Sequence, residues 1–190
     1  MPTQSIATHP LIDSILAEHR ATWSEGDEIG WQGYRNHAQK VYTFAHHLAE
    51  PRPDGAEKIA IAAAFHDIAV FRTLDYLVQN NQALRGWLDR YGRPEWYREI
   101  ALAMSLHHRA RPYHGESAWL VEAIRRADWV ECTAGFLHPG IPADLVRRAQ
   151  RELPTKRFAT QSGLRIIAHA LTHPLDPMPF MRSRRAIRKI

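Results

Sequence analysis

The dipeptide His66-Asp67 constrains this chain more than any other feature, because it ends an almost wholly apolar segment, residues 59–65 (IAIAAAF). A helix that is apolar on every side belongs in a protein core. A buried carboxylate is costly unless it is paired or bound to a metal ion. Neutral imidazole nitrogens and carboxylate oxygens are both good ligands of divalent cations. The dipeptide therefore indicates a metal site inside the core.

Helical spacing of apolar residues runs through most of the chain, whereas strand-like alternation is nearly absent. One helix is expected to start after Asp54, as its cap, and to end near the His66-Asp67 dipeptide. Further helices are predicted around 11–16 and at 32–49, 74–91, 95–108, 116–134, 143–153 and 161–171. We therefore predict an all-α, single-domain helical bundle with a central metal site. Residues 1–30 would form a helix and loop packed on the core, 31–172 the main domain, and 173–190 a proline-rich and then basic tail.

Composition limits the classes of protein that this chain can belong to. At 190 residues it fits one domain with a sizeable core. The only cysteine is Cys132, so no intramolecular disulfide can form. No apolar stretch is long enough to cross a bilayer, and the first residues do not resemble a signal peptide, so we expect a cytoplasmic protein without a membrane partner. The formal net charge of +5 suits an anionic substrate.

Two further residues extend the candidate metal site. His37 falls within the apolar stripe of the helix at 32–49, and Asp128 follows Val121 and Ile124 at inward-facing spacing. Facing helices of a bundle commonly direct such side chains to one core metal. Taken singly, His37 would be read as a packed core histidine and Asp128 as an ion-pair partner of a neighbouring arginine. Together with the dipeptide they predict binding of Mn²⁺, Fe²⁺, Co²⁺, Ni²⁺, Zn²⁺ or Mg²⁺, and the donor set does not choose among these ions.

The order His, His-Asp and distant Asp resembles the HD-domain superfamily of metal-dependent phosphohydrolases. The matching segments are 34–37 (YRNH), 65–68 (FHDI) and 125–128 (RRAD), so the resemblance spans about half of the chain. It implies an HD-type helical domain over 31–172, with the metal bound by His37, His66, Asp67 and Asp128. It also implies hydrolysis of phosphate esters, nucleotides among them, through metal-activated water.

Three residues are candidates for a catalytic role. Some branches of the superfamily bind a second metal through additional histidines, and His107 and His108 are the candidates here. Adjacent helical positions differ by about 100° of rotation, so we expect only one of the two to face the site. Asp75 matches a catalytic aspartate of the branch that resembles bacterial 5'-deoxynucleotidases, but Val70 replaces the glutamate of that branch. A cap of the following helix is the alternative role for Asp75.

A phosphate group needs positive partners besides the metal, and the arginine guanidinium suits its oxygens. The arginines near the motifs are the candidate substrate-binding residues: Arg35, Arg72, Arg109 and Arg111. Arg72 ranks first because it follows the dipeptide closely.

Three functions are consistent with these residues. The first is a metal-dependent phosphohydrolase acting on a small phosphorylated metabolite. The second is a di-iron oxygenase of the same superfamily. The third is a non-catalytic, metal-stabilised protein that binds a ligand or a nucleic acid, supported mainly by the basic end at 182–189. That end is short and lacks interleaved aromatic residues, so nucleic acid is the less favoured partner. The several tryptophans are compatible with a homodimer.

Overall fold

A computed structural model describes residues 5–22 and 27–190, and within these ranges every regular element is helical. The all-α prediction is confirmed. Parts of the predicted N-terminal segment, residues 1–4 and 23–26, lie outside the described residues. The helices of the described chain are α1 (Pro10–Glu18), α2 (Glu28–Leu48), α3 (Gly55–Phe65), α4 (Leu77–Tyr91), α5 (Tyr97–Leu106), α6 (Ala118–Cys132), α7 (Ala143–Glu152), α8 (Arg157–Thr172) and α9 (Ser183–Ile187). In the described part of the chain, no helix has both the length and the apolar character needed to cross a membrane.

Helix α3 lies at the centre of the bundle, as its apolar sequence predicts. Every residue from Ile59 to Phe65 is buried, and the helix packs against α1, α2 and α5. The four alanines of this buried run have small side chains, which let the neighbouring helices approach closely. Asp54 occupies the N-cap position, but its side chain makes no capping hydrogen bond and its φ of 57° is left-handed. The expected side-chain cap is therefore wrong, although the helix begins where it was predicted.

Helix α2 is the longest helix and packs against α3, α6 and α8. Its contact with the start of α8 requires a glycine. A Cβ atom added at Gly33 would collide with the carbonyl oxygen of Thr155 and approach the Cβ of Phe158 to 2.8 Å. This close approach holds the first turn of α8 over the centre of the bundle.

The basic C-terminal segment folds back onto the bundle. A 3₁₀ turn at Pro179–Met181 buries Phe180, and α9 packs against α4 and α5. An ion pair of 2.6 Å joins Arg185 Nη1 to Asp75 Oδ2 and fastens this segment to the start of α4. The C-terminal residues therefore form part of the wall around the candidate site.

Candidate metal centre

The predicted ligands from three helices converge in the core. His37 on α2, His66 at the end of α3 and Asp128 on α6 are each no more than 5% exposed. The Nε2 atoms of the two histidines are 3.0 Å apart, and Asp128 Oδ1 lies 3.9 Å from His37 Nε2 and 3.8 Å from His66 Nε2. These spacings are those of side chains that can share one cation, and the three residues form one candidate donor group.

A second donor group adjoins the first. It consists of Asp67, His107 and His108. His107 Nε2 lies 3.3 Å from Asp67 Oδ1, and His108 Nδ1 lies 3.3 Å from Asp128 Oδ2. Both adjacent histidines therefore contact the donor groups, each through a different carboxylate. Only His108 also lines the cavity described below.

Backbone carbonyls fix the orientation of two imidazole rings. His66 Nδ1 donates to the carbonyl of Ala63 at 2.9 Å, and His107 Nδ1 donates to that of Met104 at 2.5 Å. A proton on Nδ1 leaves the Nε2 lone pair of a neutral imidazole free for a metal. Asn80 on α4 adds support, because its side chain bonds the His66 carbonyl and the Ala69 amide. The backbone thus presents both Nε2 atoms to the same space.

Two outer partners of the histidines were missed by the sequence analysis. Glu131 Oε2 lies 3.5 Å from His37 Nδ1 and forms an ion pair of 2.7 Å with Lys40 Nζ. Lys40 is itself buried. The Tyr76 hydroxyl is 2.7 Å from His108 Nε2. Such carboxylate and hydroxyl partners orient metal-binding histidines. Glu131 could have been found from its spacing, because it lies one helical turn after Asp128.

The electrostatics of the cluster keep its carboxylates charged. Burial by itself would raise the pKa values of Asp67 and Asp128, but the surrounding imidazoles outweigh it and hold both below their usual range. Burial lowers the pKa of His66 to about 4. The pKa of His107 is raised, because its contacts with Asp67 outweigh the effect of burial. At neutral pH the cluster therefore combines two carboxylates with a neutral His66.

Three buried polar atoms of the cluster lack a regular hydrogen bond among the described residues. These atoms are Asp67 Oδ1, Asp128 Oδ1 and His107 Nε2, although Asp67 Oδ1 and His107 Nε2 lie 3.3 Å apart. Leaving a buried polar atom unpaired costs about 1–3 kcal/mol, so such atoms call for a partner, which can be an ordered water or a bound ion. A divalent cation would satisfy all three, and mixed nitrogen and oxygen donors suit it. The residues present therefore fit a metal ion, and the two adjoining groups contain enough ligand atoms for one ion or for two.

The other candidate site residues lie outside the cluster. Asp75 pairs with Arg185, and Arg35 forms a two-pronged contact with Asp13 through bonds of 2.8 and 2.7 Å. The three remaining arginines have exposed side chains: Arg72, Arg109 and Arg111. None of these five residues lines the cavity described below. Their catalytic and substrate-binding roles stay predictions.

A cavity of about 300 Å³ opens beside the two donor groups. Its floor includes His37, Asp67 and Asp128, and its wall is formed largely by α8 and the 3₁₀ turn that carries Phe180. His108 lines the cavity, whereas His107 does not. Cys132 also faces it, with Sγ 3.4 Å from Asp128 Oδ2. No pattern in the sequence predicts that α8 covers the site.

Fold and site together define an all-helical protein with His/Asp groups that could hold a metal ion. No protein-family model, no curated protein and no solved structure matches the chain. The likeness to the HD-domain superfamily therefore depends on the motif residues alone.

Proposed function

We propose that the protein is a metal-dependent phosphohydrolase of the HD-domain type that acts on a small phosphorylated metabolite. One observation carries the proposal: two adjoining His/Asp groups of candidate ligands contain buried atoms without a regular hydrogen bond, and members of both groups line a cavity large enough for a small molecule. The motif resemblance supplies the reaction class.

The residues divide into binding and proton-transfer roles. His37, His66, Asp67 and Asp128 would hold the ion, which when bound would polarise water and a phosphoryl oxygen. Glu131 keeps the His37 ring in place, and the carbonyls of Ala63 and Met104 do the same for the His66 and His107 rings. These contacts preorganise the donors before substrate arrives.

His108 is the best candidate for the acid/base group. It lines the cavity, is only partly buried and shares a hydrogen bond with the Tyr76 hydroxyl. From this position it would transfer a proton to the leaving oxygen of a bound ester. His107 is fully buried away from the cavity, so we assign it to metal binding or to the positioning of Asp67.

A di-iron oxygenase is the second candidate function. The specific observation in its favour is that both His107 and His108 reach the site, because this supplies the fuller histidine set that a two-metal centre needs. A non-catalytic binding protein is the third hypothesis, and it depends on the basic C-terminal segment. One arginine of that segment, Arg185, is already paired with Asp75.

The first experiment measures the metal content of the purified protein without a histidine tag. We expect at least one transition-metal ion per chain, lost in Asp67→Ala and retained in Asp89→Ala, a matched change at an exposed position of α4. Circular dichroism confirms that both variants remain helical.

A phosphate-release screen on the metal-loaded protein then tests hydrolysis. Two irons per chain with substrate-dependent O₂ consumption would favour the oxygenase. Absence of metal, with no stabilisation by Mn²⁺, Co²⁺ or Mg²⁺, would refute both enzyme proposals.

A further inference from the structure

The cavity over the candidate metal centre has a polar floor and largely apolar walls. The walls come from the turn after α3, from α8 and from the C-terminal 3₁₀ turn. Their apolar members are Val70, Leu74, Phe158, Ala159, Ile166 and Phe180. Apolar walls around a few convergent polar groups are typical of a small-molecule site. The floor therefore suits the reacting group of a ligand, and the walls suit its remaining part.

Cationic side chains are missing from these walls. Among the described residues, no lysine or arginine lines the cavity. A second phosphate or carboxylate on the ligand would thus lack the guanidinium or ammonium partners that such groups normally use. Any anionic group is confined to the metal centre itself.

The walls also offer few hydrogen bonds. Three residues that line the cavity carry hydroxyls. The Ser162 hydroxyl on α8 is buried without a hydrogen-bond partner in the described chain, the Tyr76 hydroxyl already contacts His108 Nε2 at 2.7 Å, and Thr155 supplies the third. A sugar ring or a nucleobase carries several donors and acceptors, and each of these is costly to bury unpaired. The cavity volume of about 300 Å³ lies at the lower limit for ligand sites. An apolar group fits this wall better than a nucleoside does.

A glycine leaves room in the wall. Gly163 lies within α8 and lines the cavity, and a Cβ added there would meet no atom within 4 Å. Glycine is unfavourable inside a helix, so helix formation does not explain its presence. A larger side chain at this position would occupy open space beside the residues that line the cavity.

We propose that the cavity accepts a phosphomonoester whose organic part is a small alkyl or aryl group, and that Gly163 limits how large this group can be. The proposal rests on the proposed function, since the phosphoryl group is assigned to the metal centre. It goes beyond that function by excluding nucleotides and other polar esters as preferred substrates.

Alkylphosphonates test the proposal, because their P–C bond resists hydrolysis. Binding of the methyl, ethyl, propyl and butyl compounds to the metal-loaded full chain is measured by titration calorimetry. Burial of each methylene should increase affinity about fourfold, or about 60-fold from methyl to butyl. The heat-capacity change should become more negative along the series. Equal affinity across the series, or tighter binding of a nucleoside monophosphate than of butylphosphonate, would overturn the proposal.

A larger side chain at position 163 tests the second part of the proposal, namely that Gly163 limits the size of the organic group. Gly163→Leu should retain methylphosphonate affinity and lose most of the chain-length gain. Gly86→Leu is the matched control, because Gly86 is also helical and a Cβ there meets only the end of Arg90, at 3.8 Å. An unchanged chain-length dependence in a folded Gly163→Leu protein would refute the role of Gly163. The series on the unmodified protein tests the apolar pocket even if this variant does not fold.

A probe without phosphorus separates this proposal from the proposed function. The metal-free protein is heated with and without 1-hexanol, which should raise Tm in the unmodified chain and in Gly86→Leu but not in Gly163→Leu. If hexanol behaves in this way and no phosphonate binds the metal-loaded protein, the phosphohydrolase proposal fails and the apolar pocket stands. If phosphonates bind without chain-length dependence and hexanol has no effect, the apolar pocket fails and the phosphohydrolase proposal stands.

Discussion

Glu131→Gln is the substitution that most directly tests the support of the candidate metal centre. The Glu131 carboxylate lies between two buried groups, the Lys40 ammonium at 2.7 Å and the His37 imidazole at 3.5 Å. The Lys40 and Glu131 side chains are only 4% and 5% exposed. Glutamine keeps the shape of glutamate and removes its charge. The change therefore leaves the Lys40 ammonium in the core without a counter-charge.

The expected loss follows from the burial of this pair. Removing one partner of a buried ion pair costs about 3–5 kcal/mol, and the amide oxygen of glutamine can still accept one hydrogen bond, so we expect about 3 kcal/mol. Replacing both partners, in Lys40→Met with Glu131→Gln, should recover much of this loss because neither side chain of the pair then carries a charge. Weaker orientation of His37 should also lower metal affinity about 10- to 100-fold.

Urea unfolding of the metal-free proteins measures the first effect, and competition with a chelator measures the second. Glu116→Gln provides the control, because its ion pair with Arg98 lies on the surface and should contribute much less than the buried pair. If the Glu131→Gln protein is as stable as the unmodified chain, the predicted contribution of the buried ion pair to stability is refuted. A stability loss with unchanged metal affinity would show that Glu131 supports the core but does not orient His37.

Two further predictions concern protonation and close packing. Because burial lowers the pKa of His66 from 6.5 to about 4, the unfolded metal-free chain binds this proton before the folded chain does. The contribution of His66 to stability should therefore fall by about 3 kcal/mol as pH drops from 6.5 towards 4, and the raised pKa of His107 opposes part of this loss. Urea unfolding measures the net change, and a ¹⁵N signal of His66 already protonated at pH 6 would contradict the lowered pKa. Gly33→Ala should cost about 1–3 kcal/mol in urea unfolding, because its Cβ collides with the Thr155 carbonyl. Gly86→Ala, which has open space, should instead stabilise by up to about 1 kcal/mol, and equal effects of the two changes would refute the close approach.

The helices and the first four candidate ligands could be predicted because both depend on local patterns. Helical periodicity assigns a residue to the inward face of its own helix from its near neighbours, and this placed His37 and Asp128 correctly. The apolar run of α3 located His66 and Asp67 in the core by the same argument. Each inference needed only the segment that contains the residue.

The remainder of the site depends on how separate segments meet. The pairing of Lys40 on α2 with Glu131 on α6 joins two helices far apart in the chain, and periodicity within either helix does not reveal it. The two adjacent histidines both contact the donor groups because carboxylates of two other elements lie near them, that of Asp67 beside His107 and that of Asp128 beside His108. Helical rotation within one segment does not reveal where carboxylates of other segments lie.

The sequence by itself determined the helical class and the residues with metal-binding chemistry, since both follow from residue types and their spacing along one segment. Only the tertiary structure decided which walls enclose the site. Helix α8 and the turn at Phe180 cover the cavity through contacts with residues more than a hundred positions earlier, such as Gly33 beneath Thr155 and Tyr76 stacked on Phe180. Such contacts arise from long-range packing, so the shape and polarity of the cavity are properties of the assembled bundle.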